Sequence, residues 1–402
     1  MTIIEFFEKS PFENMVSCLT AKPETVIFLG DTAQMDKSLK VYKSFLNKKH
    51  IDTKLIPKQI NKNDLKDIVK TLTEIIQTEN DCIFDITGGD DLLLLGCGIV
   101  FATYRDQYSI KLQRFDLETG KIIDCDCDDE ISFKGVFSVT VEELISLYDG
   151  VVLPENPQPS ITADKQDIDL LWDMARGKLS VWNDSVKYLT EFEKRSNNKM
   201  NVSLELAPLK TSILNYHQKM SFYRAFLQEL SKKGIISGLK ISSENISYKY
   251  KNSVVRRCLN SPGDILEMKV LFEARHLQKD EKPFFDSCYI GVNIDWDGII
   301  HNFKETKNEI DVILMRALTP VFISCKIGEI DEIEPYKLWT VAERFGGKHV
   351  KKVLIASHFK MKSQRAEEAF RNRVKDMGIT FITDVINMTN HDWEITLKKL
   401  VE

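Results

Sequence analysis

Two apolar, β-branched runs, each closed by glycine and followed by a helical pattern, leave little choice of fold class for the first third of this chain. Thr25 to Leu29 runs into Gly30-Asp31, and Asp81 to Ile86 runs into Thr87-Gly88-Gly89. Repeated strand, tight turn and helix predict βα units and a mainly parallel sheet, hence an α/β protein. Thr53 to Ile56 supplies a shorter strand between them, and Leu65 to Ile76 repeats its apolar residues near helical spacing. Ile110 to Phe115 and Lys121 to Asp124 add strands around a turn at Thr119-Gly120. Ser10-Pro11-Phe12-Glu13 offers a serine cap, proline at the first helical position and a glutamate placed to reach back, so a helix is expected before the first strand.

Open parallel sheets bind ligands at the carboxyl ends of their strands. The candidate ligand-binding residues are therefore Gly30, Asp31, Thr32, Ala33 and Gln34 in one turn and Thr87, Gly88, Gly89 and Asp90 in the other. Glycine there lets backbone N–H groups approach a phosphate at a helix N-terminus. The competing reading is a helix cap and a tight turn with no ligand. A G-x-G-x-x-G fingerprint is absent, which makes a nicotinamide enzyme a poor fit.

A chain of 402 residues is expected to hold two or three domains. The first, residues 1–153, ends at Val151-Val152-Leu153-Pro154, because Pro154, Pro157 and Pro159 forbid continued helix. Residues 154–260 form a connector. Asp167 to Lys194 is helical in pattern, Phe222 to Lys233 is an amphipathic helix stopped by Gly234, and Ile235 to Ser242 with Asn245 to Tyr250 read as a small hairpin. Helices followed by a hairpin suggest a winged-helix-like unit, whose Lys240, Lys249 and Lys251 either meet a phosphate backbone or are simply solvated. A third domain, 261–402, opens at Ser261-Pro262-Gly263-Asp264. It continues as helix Ile265 to Arg275, strand Tyr289 to Trp296, a turn at Asp297-Gly298, and strands Glu309 to Met315 and Pro320 to Lys326. Helix Tyr336 to Phe345 and strand Lys352 to Ser357 complete the order αβββαβ.

With 43% hydrophobic and 29% charged residues the chain has the balance of a folded soluble protein. Met1 to Glu5 carries no basic, then apolar, leader, and the most apolar run, Leu92 to Ala102, is shorter than the roughly 20 residues a membrane span needs. That run reads as a buried helix, and the protein is expected in the cytoplasm with no membrane partner. Eight cysteines without C-x-x-C spacing fit a reduced compartment, and the dispersed histidines lack H-E-x-x-H pairing. A net charge of −5 argues against indiscriminate nucleic-acid binding, but Arg344, Lys348, Lys351, Lys352, Lys360, Lys362, Arg365, Arg371, Arg373 and Lys375 enrich the C-terminal third in cations.

Side chains alternate across a strand, so Glu309 and Asp311 share one face, and Phe322, Ser324 and Lys326 share one face of the next. Polar groups on otherwise apolar strands suit phosphodiester hydrolysis. A carboxylate holds Mg²⁺ or Mn²⁺ through hard oxygens, and a lysine orients the nucleophile or stabilises developing charge. An ordinary surface salt bridge is the alternative. Cys325 faces the opposite side of its strand and is not read as a nucleophile.

Asn308-Glu309-Ile310-Asp311 followed by Phe322-Ile323-Ser324-Cys325-Lys326 resembles the PD-(D/E)xK core of restriction-endonuclease-like nucleases, with Gly263-Asp264-Ile265-Leu266-Glu267 and Ala342-Glu343-Arg344-Phe345-Gly346-Gly347-Lys348 sharpening the likeness. The whole order is similar to type III CRISPR ancillary nucleases that join a Rossmann-like CARF sensor domain to such a nuclease. The resemblance implies Glu267 as first-helix acid, Asp311 as central metal ligand and Lys326 as catalytic lysine. Asp311, Glu267 and Cys325 become the metal-binding positions, and Glu309 and Glu343 are secondary acids. Ser324 stands where the motif has its second acid, and a hydroxyl is a poorer Mg²⁺ ligand than a carboxylate. Thr87-Gly88-Gly89 resembles the turn with which CARF domains bind cyclic oligoadenylate across a homodimer, although Asp90-Asp91 stand where that family often has threonine and lysine. The implied function is a metal-dependent endonuclease cutting DNA and/or RNA in antiviral defence, activated by cyclic oligoadenylate such as cyclic tetra-adenylate. The alternatives are a catalytically weak or inactive nucleotide-sensing regulator that binds nucleic acid, and a sensor domain that itself cleaves the cyclic nucleotide.

Overall fold

The computed structural model describes residues 1–8, 10–116, 121–127, 130–131, 138–153, 158–159, 165–296, 307–347 and 350–401. The turns expected at Thr119-Gly120 and Asp297-Gly298, together with Pro154, Pro157 and Lys348, lie outside these residues. The chain opens with strand β1 (Thr2–Phe6), which corrects the expectation that a helix comes first. Helix α1 (Pro11–Ala21), β2 (Thr25–Gly30), α2 (Thr32–Lys48), β3 (Lys54–Gln59), α3 (Leu65–Thr78), β4 (Cys82–Asp85) and α4 (Asp91–Tyr104) then alternate. Strands β5 (Ile110–Asp116), β6 (Lys121–Asp124) and β7 (Glu130–Ile131) complete a sheet of order β3-β2-β1-β4-β5-β6-β7, parallel from β3 to β5. Because β3 is the edge strand, Pro57 within it removes no ladder bond that the sheet needs.

Strand β1 is concealed in the sequence by Glu5, a carboxyl in the middle of an apolar run. Glu5 is buried, accepts a hydrogen bond from the Ser17 hydroxyl, and lies in register with Asp85 of β4. Burial and the neighbouring Asp85 push the Glu5 carboxyl well above its usual range. Burial also raises Asp85, against the opposing hydrogen bonds from Thr87 and Gln113. Helix α4 buries Leu93, Cys97, Val100 and Phe101, but Leu95 and Ile99 are 53% and 39% exposed, so the apolar run is only half covered rather than buried.

Helix α5 (Val141–Leu147) starts in a capping box between Thr140 and Glu143, and β8 (Val151–Val152) follows. The helical stretch read as one from Asp167 to Lys194 is two, α6 (Lys165–Gly177) and α7 (Leu179–Glu193), broken where Lys178 leaves helical backbone angles after Gly177. The connector continues through β9 (Asn201–Glu205), α8 (Leu206–Ser212), α9 (Tyr216–Lys232), β10 (Ile236–Ile241), β11 (Asn245–Tyr250) and α10 (Ser253–Cys258). The expected hairpin is present, and β9 joins it as a third antiparallel strand in the order β10-β11-β9.

The C-terminal region runs α11 (Asp264–His276), a short hairpin of β12 (Gln278–Lys279) and β13 (Lys282–Pro283), β14 (Ser287–Asp295), β15 (Lys307–Arg316), β16 (Thr319–Lys326), α12 (Glu334–Gly346) and β17 (Lys351–Ala356). This is the expected αβββαβ order. Helix α13 (Gln364–Asp376), β18 (Ile379–Ile382) and α14 (Asn390–Lys398) extend it, in a sheet of order β18-β17-β16-β15-β14-β8. Alternation along β15 and β16 sends Val312, Leu314, Val321 and Ile323 into a core shared with α11 and the connector. Ile313, Met315 and Phe322 enter a second core with Leu338 and Phe345 of α12 and with Phe12 and Leu144 from the N-terminal region. Helix α11 is further tied to α6 by the buried Lys269, whose ammonium meets Asp169 at 2.6 Å and also Glu273. Removing one partner from so buried a group costs about 3–5 kcal/mol. The chain is thus α/β, with a Rossmann-like parallel sheet in its N-terminal third, a three-stranded antiparallel sheet among the helices of the connector, and a mixed six-stranded sheet in its C-terminal region.

A carboxyl raised by burial binds its proton more tightly in the folded state. Its neutral form favours the fold fully below the ordinary carboxyl pKa, and that contribution is lost as pH rises through the raised value. Glu5→Gln is therefore expected to raise the melting temperature by about 2–6 °C at pH 8 and by much less at pH 4.5, read by differential scanning calorimetry.

Candidate active site

Strands β15 and β16 stay paired from Arg316 and Thr319 back to Val312 and Ile323, and no further. Beyond that point β15 continues on β14 as far as Lys307, while β16 continues on β17 as far as Lys326. The two strands part, and Asp311, Ser324 and Lys326 lie at the fork. The Asp311 Oδ2 atom accepts the backbone N–H of Cys325 at 2.6 Å and the Ser324 hydroxyl at 3.1 Å. The Lys326 ammonium stands 3.6 Å from the same oxygen and 3.0 Å from Glu334 Oε2, and Lys337 holds the other Glu334 oxygen at 2.8 Å. These side chains, with Asn308 and Glu309, line a cleft of about 450 Å³.

The charges are arranged against one another. Burial works against the Lys326 ammonium, but Asp311 and Glu334 outweigh it and hold the lysine above its usual value. Burial likewise opposes the Glu334 carboxylate, which Lys337 and Lys326 nevertheless hold below the usual range. On α11 the balance runs the other way. Burial, then Asp311 and Asp264, push the Glu267 carboxyl well above its ordinary value. Asp264 is raised to about 6 by burial, with Glu309 and Asp311 adding to the shift and Arg257 opposing it. A nearby cation would relieve both the burial and the like-charge contributions to these shifts.

Asp311, Ser324, Lys326 and Glu309 are brought together in the cleft, whereas Glu267 lies buried on α11 outside its lining, raised first by burial and then by the Asp311 charge. Glu343 is not in this group: it points away from the cleft and pairs with Lys352 of β17. The Cys325 side chain is packed with Val353 and Ile355 on the opposite face, and burial followed by Asp311 pushes its thiol well above the usual value, leaving only its main chain at the site. The sequence reading missed Glu334. The available signal was an acid in the first turn of a helix, ahead of Pro335, placed after the lysine strand. Among the described residues no three His, Cys, Asp or Glu side chains already converge as a ready metal-ligand set. The Asp311 and Glu309 carboxylates that line the cleft are nonetheless the hard oxygens that Mg²⁺ and Mn²⁺ take.

The second candidate site lies where the N-terminal sheet changes direction, since the chain builds β2 and β3 on one side of β1 and then crosses to β4 on the other. Asp31 caps α2 through the Ala33 N–H at 3.1 Å, and the Thr32 N–H and hydroxyl both reach Gln59 Oε1, at 2.9 and 3.0 Å. Gln34 and Ala33 are exposed beside them. The Thr87 hydroxyl is spent on the fold, accepting the Phe115 N–H at 2.8 Å, and the Thr87 N–H donates to Asp85. Gly89, at φ +120°, holds a backbone angle that favours glycine, and its N–H donates to Glu8 Oε1 at 2.8 Å. A side chain at Gly88 would meet Glu8 Cγ at 2.7 Å. Asp90 is paired with Lys62 at 3.1 Å, which offsets the negative charge that the sequence places at this turn. Glu8, Gln59 and Lys62 are additions that sequence reading did not make.

The architecture has solved counterparts. Protein VC1899 from Vibrio cholerae superimposes over 100% of this chain and 98% of its own, with a TM-score of 0.74 at 17% identity. Can2 from Sulfobacillus thermosulfidooxidans, solved in complex with cyclic tetra-adenylate, matches over 100% of this chain and 99% of its own, with a TM-score of 0.67 at 16% identity. The chain shares its whole fold with Can2. No protein-family model matches the sequence, and no curated protein matches it.

Removing the charge of Asp311 relieves one of the causes that raise Glu267. In Asp311→Asn the Glu267 pKa, followed by ¹³C-carboxyl NMR, is expected to move down toward its ordinary value. An unchanged titration would mean that the two groups are not neighbours.

Proposed function

We propose that this protein is a metal-dependent endonuclease whose activity is governed by cyclic oligoadenylate, cyclic tetra-adenylate in the first instance, bound at the N-terminal sheet. The observation that carries the reading is the fork between β15 and β16, where Asp311, Ser324, Lys326 and Glu334 line one cleft, with Glu267 buried on α11 within the influence of the Asp311 charge. Asp311, Glu267 and the main chain at Cys325 would hold Mg²⁺ or Mn²⁺. The ion, when bound, lowers the pKa of water and neutralises charge on the scissile phosphate. Lys326, already charged and held by Glu334, orients the attacking water and stabilises the charge that gathers on the phosphate as the bond to the leaving oxygen breaks. Ser324 donates to Asp311 and so fixes its carboxylate, a use for a hydroxyl at a position where the motif has an acid.

The nucleotide reading rests on the whole-chain likeness to a protein solved with cyclic tetra-adenylate and on the switch-point crevice. There the Gly89 N–H already holds a carboxylate, that of Glu8, as an anion would be held, and Lys62 stands beside it. A ring with internal symmetry suits two copies of the chain. Helix α4, which starts at this turn, leaves Leu95 and Ile99 on its outer face, an apolar stripe that a second copy would cover. No described helix is long and apolar enough to cross a membrane instead.

Incubating the protein with Mn²⁺, plasmid DNA and labelled RNA, with and without cyclic tetra-adenylate, tests the proposal. Nucleotide-dependent cleavage of either polymer is expected. Lys326→Ala should lower the rate about 10²–10³-fold while nucleotide binding is kept. Glu343→Ala, which breaks only the pair with Lys352, should stay within about threefold of the wild type. Retained cleavage in Lys326→Ala would remove the catalytic assignment. In sedimentation velocity Leu95→Glu is expected to convert a dimer into monomers, and an unaltered sedimentation coefficient would place the interface elsewhere.

A further inference from the structure

The connector has a purpose that the nuclease cleft and the nucleotide site leave unassigned. Its elements follow the order α7, β9, α8, α9, β10, β11, and its sheet has the order β10-β11-β9. Helices α8 and α9 are separated only by Ile213, Leu214 and Asn215, with Asn215 at φ +57° making the sharp turn between them. This is the winged-helix arrangement, in which the second helix of the pair is presented outward and the hairpin stands beside it as a wing.

Helix α9 is built for presentation. Tyr216, Met220, Tyr223, Phe226, Leu227 and Leu230 face inward onto the connector core. The opposite face carries His217, Ser221, Ala225, Gln228 and Lys232, all exposed and spaced three or four residues apart, with Gln218, Phe222 and Glu229 exposed beside them. Glutamine, serine and histidine both donate and accept hydrogen bonds, as base edges in a groove require, and Ala225 at the centre allows close approach. A helix of 17 residues spans roughly 25 Å and fits the ~12 Å width of a major groove. The wing is held in fixed relation to it, because Arg224 of α9 donates to the Ser242 carbonyl at the wing tip at 3.4 Å.

Charge supports the same occupant. The chain as a whole is at −5, yet residues 201–252 hold seven lysines and one arginine against three glutamates. Lys219 and Lys251 are taken by Glu191 and Asp167. Lys210, Lys232, Lys233, Lys240 and Lys249 are exposed around α9 and on the wing. The nuclease cleft itself is crowded with acids, so a polyanion needs a separate cationic surface to hold it near the fork.

We infer that the connector binds duplex DNA, with α9 seated in the major groove and Lys240 and Lys249 of the wing on the flanking phosphates. This binding does not depend on the nuclease reading. It is tested by fluorescence anisotropy with the full chain in EDTA, using a labelled duplex of about 20 base pairs and its single strand. The wild type is expected to prefer the duplex, with affinity falling steeply as salt rises. The double variant Lys240→Glu/Lys249→Glu should bind at least about tenfold more weakly and show a salt slope shallower by about two. Ala225→Glu should also lose about tenfold or more, with both variants keeping the wild-type melting temperature. Asp311→Asn should keep duplex binding whether or not it cleaves, which separates this inference from the catalytic one. Wild-type affinity in the folded wing and α9 variants, or a preference for the single strand, would overturn it.

Discussion

Strands β15 and β16 are paired only as far as Val312 and Ile323, and past that point a single carboxylate spans the widening gap. Asp311 takes the Cys325 N–H, the Ser324 hydroxyl and the field of the Lys326 ammonium on one oxygen. Were the two strands to continue in register, the cleft would close with ladder hydrogen bonds and the lysine would have no acid to face. Sheets ordinarily avoid such a fork, because it leaves backbone groups to be satisfied by side chains. Here the satisfaction and the chemistry fall to the same atoms.

The surroundings hold that fork in place from both sides. On one face α11 brings Glu267 and is itself locked by the Lys269 network to α6. On the other, α12 brings Glu334 and Lys337 and is packed by Leu338 and Phe345 into a core that includes N-terminal residues. The acids on α11 are raised first by burial and then by neighbouring carboxylates, Asp311 among them, whereas Glu334 is lowered by its two lysines. Carboxyl groups on the two sides of the fork are thereby driven apart in acidity by their environments.

Much of this was legible in the sequence where local pattern and tertiary demand agree. The αβββαβ order, the shared face of Glu309 and Asp311 and the grouping of Ser324 with Lys326 follow from strand alternation alone. The misses have a common physical cause, in that each depended on a partner distant in sequence. Strand β1 was concealed because Glu5 is tolerated only through Ser17 and the central position between β2 and β4. Glu343 and Glu334 both sit on α12, and only the packing of that helix decides that the first meets Lys352 while the second meets Lys326. Lys62 reaches Asp90 across 28 positions that no periodicity links. Pattern assigns faces to elements, and the docking of elements assigns partners.

Strand β8 carries a mechanical consequence. Although Val151 and Val152 directly follow the helix α5 that packs on α2, they are hydrogen-bonded to Ile294 and Asp295 at the rim of the C-terminal sheet. The rim is therefore stitched to the same short segment whose helix packs on α2 of the N-terminal region. A displacement of α5 would either carry β14 with it or break the pairing of Val151 and Val152 with the sheet rim. Severing the chain just after Leu153 would leave β14 bordered on its outer side only by a strand from a separate polypeptide, and would divide between two chains a core that holds residues from both sides of the cut.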